Sequence, residues 1–104
     1  MKRLAFKMHL NKGQEEEYEK RHNEIWPELK QLLKDAGVSE YSIFLDKETN
    51  TLFAFQKLRG ESGSQNLGST EIVQKWWKYM ADIMETNPDN SPVTTELEEV
   101  FYLE

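Results

Sequence analysis

The pattern of apolar and polar positions begins as simple alternation. From Arg3 to Leu10, Leu4, Phe6, Met8 and Leu10 fall on one face and Ala5, Lys7 and His9 on the other, the period of a strand with one buried side. Asn11-Lys12-Gly13 breaks it. From Gln14 to Ala36 the spacing becomes helical, with Tyr18, His22, Ile25, Trp26, Leu29, Leu32, Leu33 and Ala36 along one stripe. Gly37 supplies a C-terminal stop. Pro27 lies inside this stretch, so a kink or two abutting helices are expected near Asn23 to Trp26.

Two β-rich runs follow, Glu40 to Asp46 and Thr51 to Leu58, joined through Lys47-Glu48-Thr49-Asn50 as a hairpin. Arg59 to Gly68, with Gly60, Gly63 and Gly68 among serines, reads as a flexible loop with at most one weak helical turn. Ser69 or Thr70 is placed to cap a second helix whose stripe is Ile72, Val73, Trp76, Trp77, Met80, Ile83 and Met84. Asn87 to Pro92 is an irregular connection, and Glu96 to Leu103 reads as a last strand. The order β-α-β-β-α-β is the ferredoxin-like α+β arrangement, two helices on one face of an antiparallel sheet. Strands two to four carry apolar residues on both faces: Tyr41, Ile43 and Leu45 oppose Phe44, Phe53 and Phe55 oppose Leu52 and Ala54, and Phe101 and Leu103 oppose Val100 and Tyr102. Two helices cover one face only, so a second copy of the chain is expected on the other.

Length and charge narrow the possibilities. The 104 residues make one domain, and 38% apolar with 12% aromatic residues suffices for a packed core. Thirteen basic against 19 acidic residues give a net charge of −6, which argues against nucleic acid or an anionic membrane as partner. No segment has the ~20 apolar residues of a membrane helix. The basic start, Met1-Lys2-Arg3, lacks the apolar run of a signal peptide. Together with the absence of cysteine, these features lead to the expectation of a cytoplasmic protein without disulfides.

Candidate chemistry concentrates on the first helix, where Tyr18, His22 and Trp26 follow one another at i, i+4 and i+8. A stripe that turns from aliphatic to aromatic and polar suggests a cavity at that end. His22 is either a partly buried histidine bonded to a nearby group or a proton-transfer residue that titrates near neutrality. Trp76-Trp77 is either core or an aromatic platform for a sugar ring, which with hydroxyls and one titratable group would make a neutral sugar pocket. Only His9 and His22 are histidines, and no metal-ligand spacing or phosphate-binding glycine pattern occurs, so no metal or cofactor is expected.

Four segments resemble the L-rhamnose mutarotase family: Arg21-His22-Asn23-Glu24-Ile25-Trp26-Pro27-Glu28-Leu29, Tyr41-Ser42-Ile43-Phe44-Leu45-Asp46, Trp76 through Met84, and Asn87 through Val93 with the ending Val100-Phe101-Tyr102-Leu103. The resemblance covers nearly the whole chain in matching order. It implies a dimeric α/β-barrel of ferredoxin-like subunits that interconverts the α and β anomers of L-rhamnose. It also implies His22 as proton donor and Tyr18, Tyr41, Trp76 and Trp77 as substrate contacts; Tyr41 is singled out by the resemblance alone. On that reading His22 protonates the ring oxygen. The Arg59 to Gly68 loop departs from the family by looking less helical. The rival readings are another small enzyme on the same barrel, or a sugar- or partner-binding module that would not need a titratable His22.

Overall fold

In the computed structural model, which describes residues 2–104, the opening alternation forms strand β1 (Lys2–His9). Its inward side chains Phe6 and Met8, with Leu10 just beyond, are buried. The helical stretch is divided into α1 (Glu15–Asn23) and α2 (Pro27–Asp35). Pro27 causes the break: it has no N–H to continue the α1 ladder, and it holds Trp26 in an extended conformation (φ −61°, ψ 131°). Proline then suits the first turn of α2. Gly37 ends α2 with φ 92°, where a Cβ would lie 3.0 Å from that of Arg59.

β2 (Val38–Asp46) and β3 (Thr51–Leu58) form the hairpin, and Asn50 takes the left-handed conformation (φ 57°) at its turn. β2 starts earlier than its alternation indicates because a bulge interrupts it between Ser39 and Ser42, with Glu40 at φ 47°. One extra residue reverses the parity of a strand. The bulge therefore lets Val38 face inward before it and Tyr41, Ile43 and Leu45 face inward after it.

The glycine-rich segment is tied down rather than loose. It holds one 3₁₀ turn (Ser64–Asn66), in which the Asn66 side chain accepts the Gly63 N–H at 2.9 Å. Helix α3 (Glu71–Met80) follows. Thr70 precedes it in extended conformation, yet its hydroxyl donates back to the Leu67 carbonyl at 2.6 Å instead of capping the helix. The stripe outlasts the helix: Ile83 and Met84 are buried from the turn beyond it, where Met84 bridges Leu10 of the first strand segment.

The sheet order is β2-β3-β1-β4 with every pair antiparallel, the ferredoxin-like topology. The core lies between its inner face and the helices, with Phe6, Leu29, Leu52, Val73 and Met80 at its centre. The last strand is a correction. β4 spans only Thr95–Leu97, pairing with Ala5, Phe6 and Lys7. Past Leu97 the chain touches the end of β1 through side chains: Arg3 donates twice to Glu99 (2.8 and 2.7 Å) and lies over the Tyr102 ring at 3.5 Å. Val100 and Phe101 are 89% and 77% exposed.

Candidate active site

One turn of α1 separates Tyr18 from His22, and their rings stack at a centroid distance of 4.3 Å. Across the groove, Trp76 of α3 presents its edge to the imidazole at 5.5 Å and 87°. Arg21 fastens the two helices. Its guanidinium donates to Glu17 on α1 (2.7 Å), to the Tyr79 carbonyl (2.7 Å) and to Asp82 (2.8 and 3.3 Å). The Arg21 guanidinium holds the Asp82 carboxyl below the usual carboxylate range. Arg21 thus sets how α1, and His22 with it, meets the end of α3; nothing in the spacing of the sequence assigned it that part.

The His22 ring nitrogen Nδ1 lies 3.0 Å from the Tyr18 carbonyl. A carbonyl only accepts, so Nδ1 carries the hydrogen and Nε2 keeps its lone pair in the neutral ring. Burial lowers the His22 pKa below its ordinary value, and the bond to Tyr18 offsets part of that effect. The ring is therefore neutral near pH 7, with Nε2 as the nitrogen left for a ligand. Burial raises the Tyr18 phenol, and the nearby Tyr41 adds to the rise; burial also raises Tyr41, against a smaller opposing effect from Ser64. Both phenols keep their protons and can donate.

Tyr18, His22, Tyr41, Trp76 and Trp77 all line one cavity of about 990 Å³. These five side chains come from α1, β2 and α3, and the glycine-rich loop adds Ser64. Trp26 does not join them. With Pro27 ending the helical line, its ring leaves α1 and packs on Trp76 (5.1 Å) and Tyr79 (5.6 Å). Among the described residues no group of three or more His, Cys, Asp or Glu side chains is placed to hold a metal ion.

The family model of L-rhamnose mutarotase matches residues 3–103. The chain belongs to the L-rhamnose mutarotase family. It is 71% identical to an L-rhamnose mutarotase of Bacteroides thetaiotaomicron and 65% identical to one of Phocaeicola vulgatus, each over 104 residues that make up all of both chains. The crystal structure of an L-rhamnose mutarotase from Formosa agariphila superposes with a TM-score of 0.91 at 67% identity, covering all of both chains. A Pseudomonas aeruginosa structure, 12% identical with a TM-score of 0.58, covers 95% of this chain and 93% of its own, and shares the fold alone.

In this L-rhamnose mutarotase family member two of the loop glycines, Gly63 and Gly68, are close-approach points, whereas Gly60 is open. A Cβ on Gly68 would meet the Trp77 ring at 2.8 Å, and one on Gly63 would meet Gln56 Oε1 and Leu4 Cδ2 at 2.8 Å each. Gly68→Ala is expected to destabilise the fold by about 1–3 kcal/mol, the scale of overpacking. At an uncrowded position with compatible backbone the same change stabilises by about 0.4–1 kcal/mol, so a denaturant melt reads the conflict from its sign.

Proposed function

We propose that the chain is an L-rhamnose mutarotase, a single-domain cytoplasmic enzyme that interconverts α and β anomers by acid–base opening and closure of the sugar ring. The observation that carries this is a neutral imidazole with one nitrogen committed to Tyr18, standing in an aromatic-walled cavity with two protonated phenols. Opening the hemiacetal needs one proton taken from the anomeric hydroxyl and one given to the ring oxygen as the C1–O5 bond breaks. Rotation about C1–C2 and reclosure give the other anomer. No electron leaves the system, so neither redox cofactor nor metal is required. The neutral state of His22 supports starting as the base at Nε2 and returning the proton on closure, the reverse of protonating the ring oxygen first. Tyr18 and Tyr41 offer hydrogen bonds to the sugar, and Trp76 and Trp77 offer apolar faces to its C–H surface.

Saturation-transfer NMR on L-rhamnose tests the reading. The protein is expected to accelerate exchange between the anomeric signals in proportion to its concentration, and to show a saturable change in tryptophan emission. Binding that quenches the tryptophans without accelerating exchange would make the site a sugar-binding module.

The same reading includes a homodimer built as an α/β-barrel. The sheet face turned away from the helices carries exposed Phe44 and Phe53, and the tail adds Val100, Phe101 and Leu103. A second copy presents the same apolar face by symmetry.

A further inference from the structure

Helix α1 carries Tyr18 and His22 but is poorly equipped to hold itself in place. It has nine residues, its buried side chain is Tyr18, and its N-terminus has no side-chain cap. Helices shorter than about 12–15 residues are marginal by themselves and depend on tertiary contacts. The joins on either side do little to stiffen it. Gly13 before it stands in open space at φ 83°, and Pro27 beyond it separates α1 from α2. Arg21 supplies the missing tie. Its side chain is 11% exposed, and its guanidinium donates to Glu17, to the Tyr79 carbonyl and to both oxygens of Asp82. The Tyr79 carbonyl belongs to the last turn of α3, where intrahelical donors run out, so the guanidinium also caps that helix.

The aromatic contacts close the same joint. Arg21 and His22 are neighbours on α1, and Trp76 and Tyr79 share one face of α3 at i and i+3. The guanidinium lies over the Tyr79 ring at 4.4 Å, while the His22 ring meets Trp76 at 5.5 Å. The Trp76 and Tyr79 rings are themselves 5.7 Å apart. Two consecutive residues of one helix thus grip two residues of the other. Because they are consecutive, freeing Arg21 from Tyr79 and Asp82 also frees His22 from Trp76.

Resting on the mutarotase reading, we propose that Arg21 is a positioning residue for that reaction. It docks the last turn of α1 on the end of α3 and so holds the His22 imidazole where its free nitrogen meets the sugar. Arg21 does not line the cavity, so it acts through His22. The joint uses the planar fork of a guanidinium, which bonds several acceptors at once and which an ammonium does not reproduce. Misplacing a group by about 1 Å can cost about 10²-fold in rate. Undocking would also wet the imidazole. Burial lowers the His22 pKa and the bond to the Tyr18 carbonyl opposes it, so loss of burial raises it.

The test compares Arg21→Gln, Arg21→Lys and Asp82→Ala with the unmodified protein. It measures kcat and KM for anomer exchange, the folded fraction, and the His22 pKa by NMR titration without sugar. The His22 signal is identified by its loss in His22→Asn. Arg21→Gln should lower kcat by about 10–10²-fold, with KM within about threefold. Arg21→Lys should remain slow, because it keeps the charge and loses the fork. Asp82 is 66% exposed, so Asp82→Ala should fold. The titration separates docking from charge. By electrostatics alone, losing the Arg21 cation would raise the His22 pKa and losing the Asp82 anion would lower it. Undocking raises it in both variants, and that is the expected result. Shifts of opposite sign, a fully active Arg21→Lys, or a rate loss matched by loss of folded protein would overturn the assignment and leave the mutarotase reading in place. Absence of exchange by the unmodified protein would remove that reading itself.

Discussion

His22→Asn will slow anomer exchange by about 10²–10⁴-fold, the range for removing a positioned acid–base group, while the melting temperature moves little. Asparagine keeps approximate size and offers an N–H to the Tyr18 carbonyl that Nδ1 now serves at 3.0 Å. It cannot take a proton near neutrality. The pH profile of the unmodified enzyme separates the two possible roles of the imidazole. Because burial lowers the His22 pKa, the base form is fully present above the ordinary histidine value of about 6.5. Exchange catalysed by that base should be flat from there upward and fall as pH drops through the depressed pKa. A residue acting first as donor would give the opposite limb, with the rate rising on acidification. Stability follows the same sign: the folded state resists charging His22, so that contribution is complete above about 6.5 and is lost as pH falls through the lower folded-state value. A well-folded His22→Asn with an unchanged rate would transfer the chemistry to the phenols of Tyr18 and Tyr41.

Phe53→Lys will dissociate the proposed dimer. Light scattering of the unmodified chain at micromolar concentration should give about twice the 12.3 kDa chain mass, and the variant should fall to the single-chain value. Burying one phenylalanine side chain is worth about 1.5–3 kcal/mol. Symmetry removes two such contacts per dimer, about 3–6 kcal/mol, or roughly 10²–10⁴-fold in dissociation constant. The introduced ammonium adds a desolvation penalty in the same direction. Phe53 lies on the sheet face away from the helices, so the isolated fold should tolerate the change. Val100→Lys and Phe101→Lys ask whether the tail joins the interface: the side chain that contacts the partner will weaken the dimer, and the other will not. A monomer at 12.3 kDa for the unmodified chain would end the barrel model.

Local periodicity carried the amino-acid sequence a long way. Alternation defined β1 and the hairpin strands, helical spacing defined the two helical regions, and the missing N–H of Pro27 marked where the first would divide. Tyr18 and His22 were legible as a pair for the same reason, since one helical turn brings their rings together whatever else the chain does. Tyr41 was not legible from spacing: whether it faces the cavity or the opposite side depends on one extra residue in the bulge at Glu40. Gln56 offered a signal, a polar side chain at an inward position among Leu52, Ala54 and Leu58. Its partner Ser64, however, sits in a glycine-rich segment that reads as slack, although Gly63 packs against Gln56 and Leu4 and Gly68 against Trp77. Trp26 and the tail after Leu97 show the converse error, in which a repeating pattern outlasted the element that produced it. Side-chain period is a property of neighbouring residues, so the sequence alone determined the elements and the α1 pair. Which elements meet, and with which face, depends on sheet order, bulge parity and close backbone approach between distant residues; the tertiary structure alone decided that Tyr41, Trp76 and Ser64 share a cavity with His22.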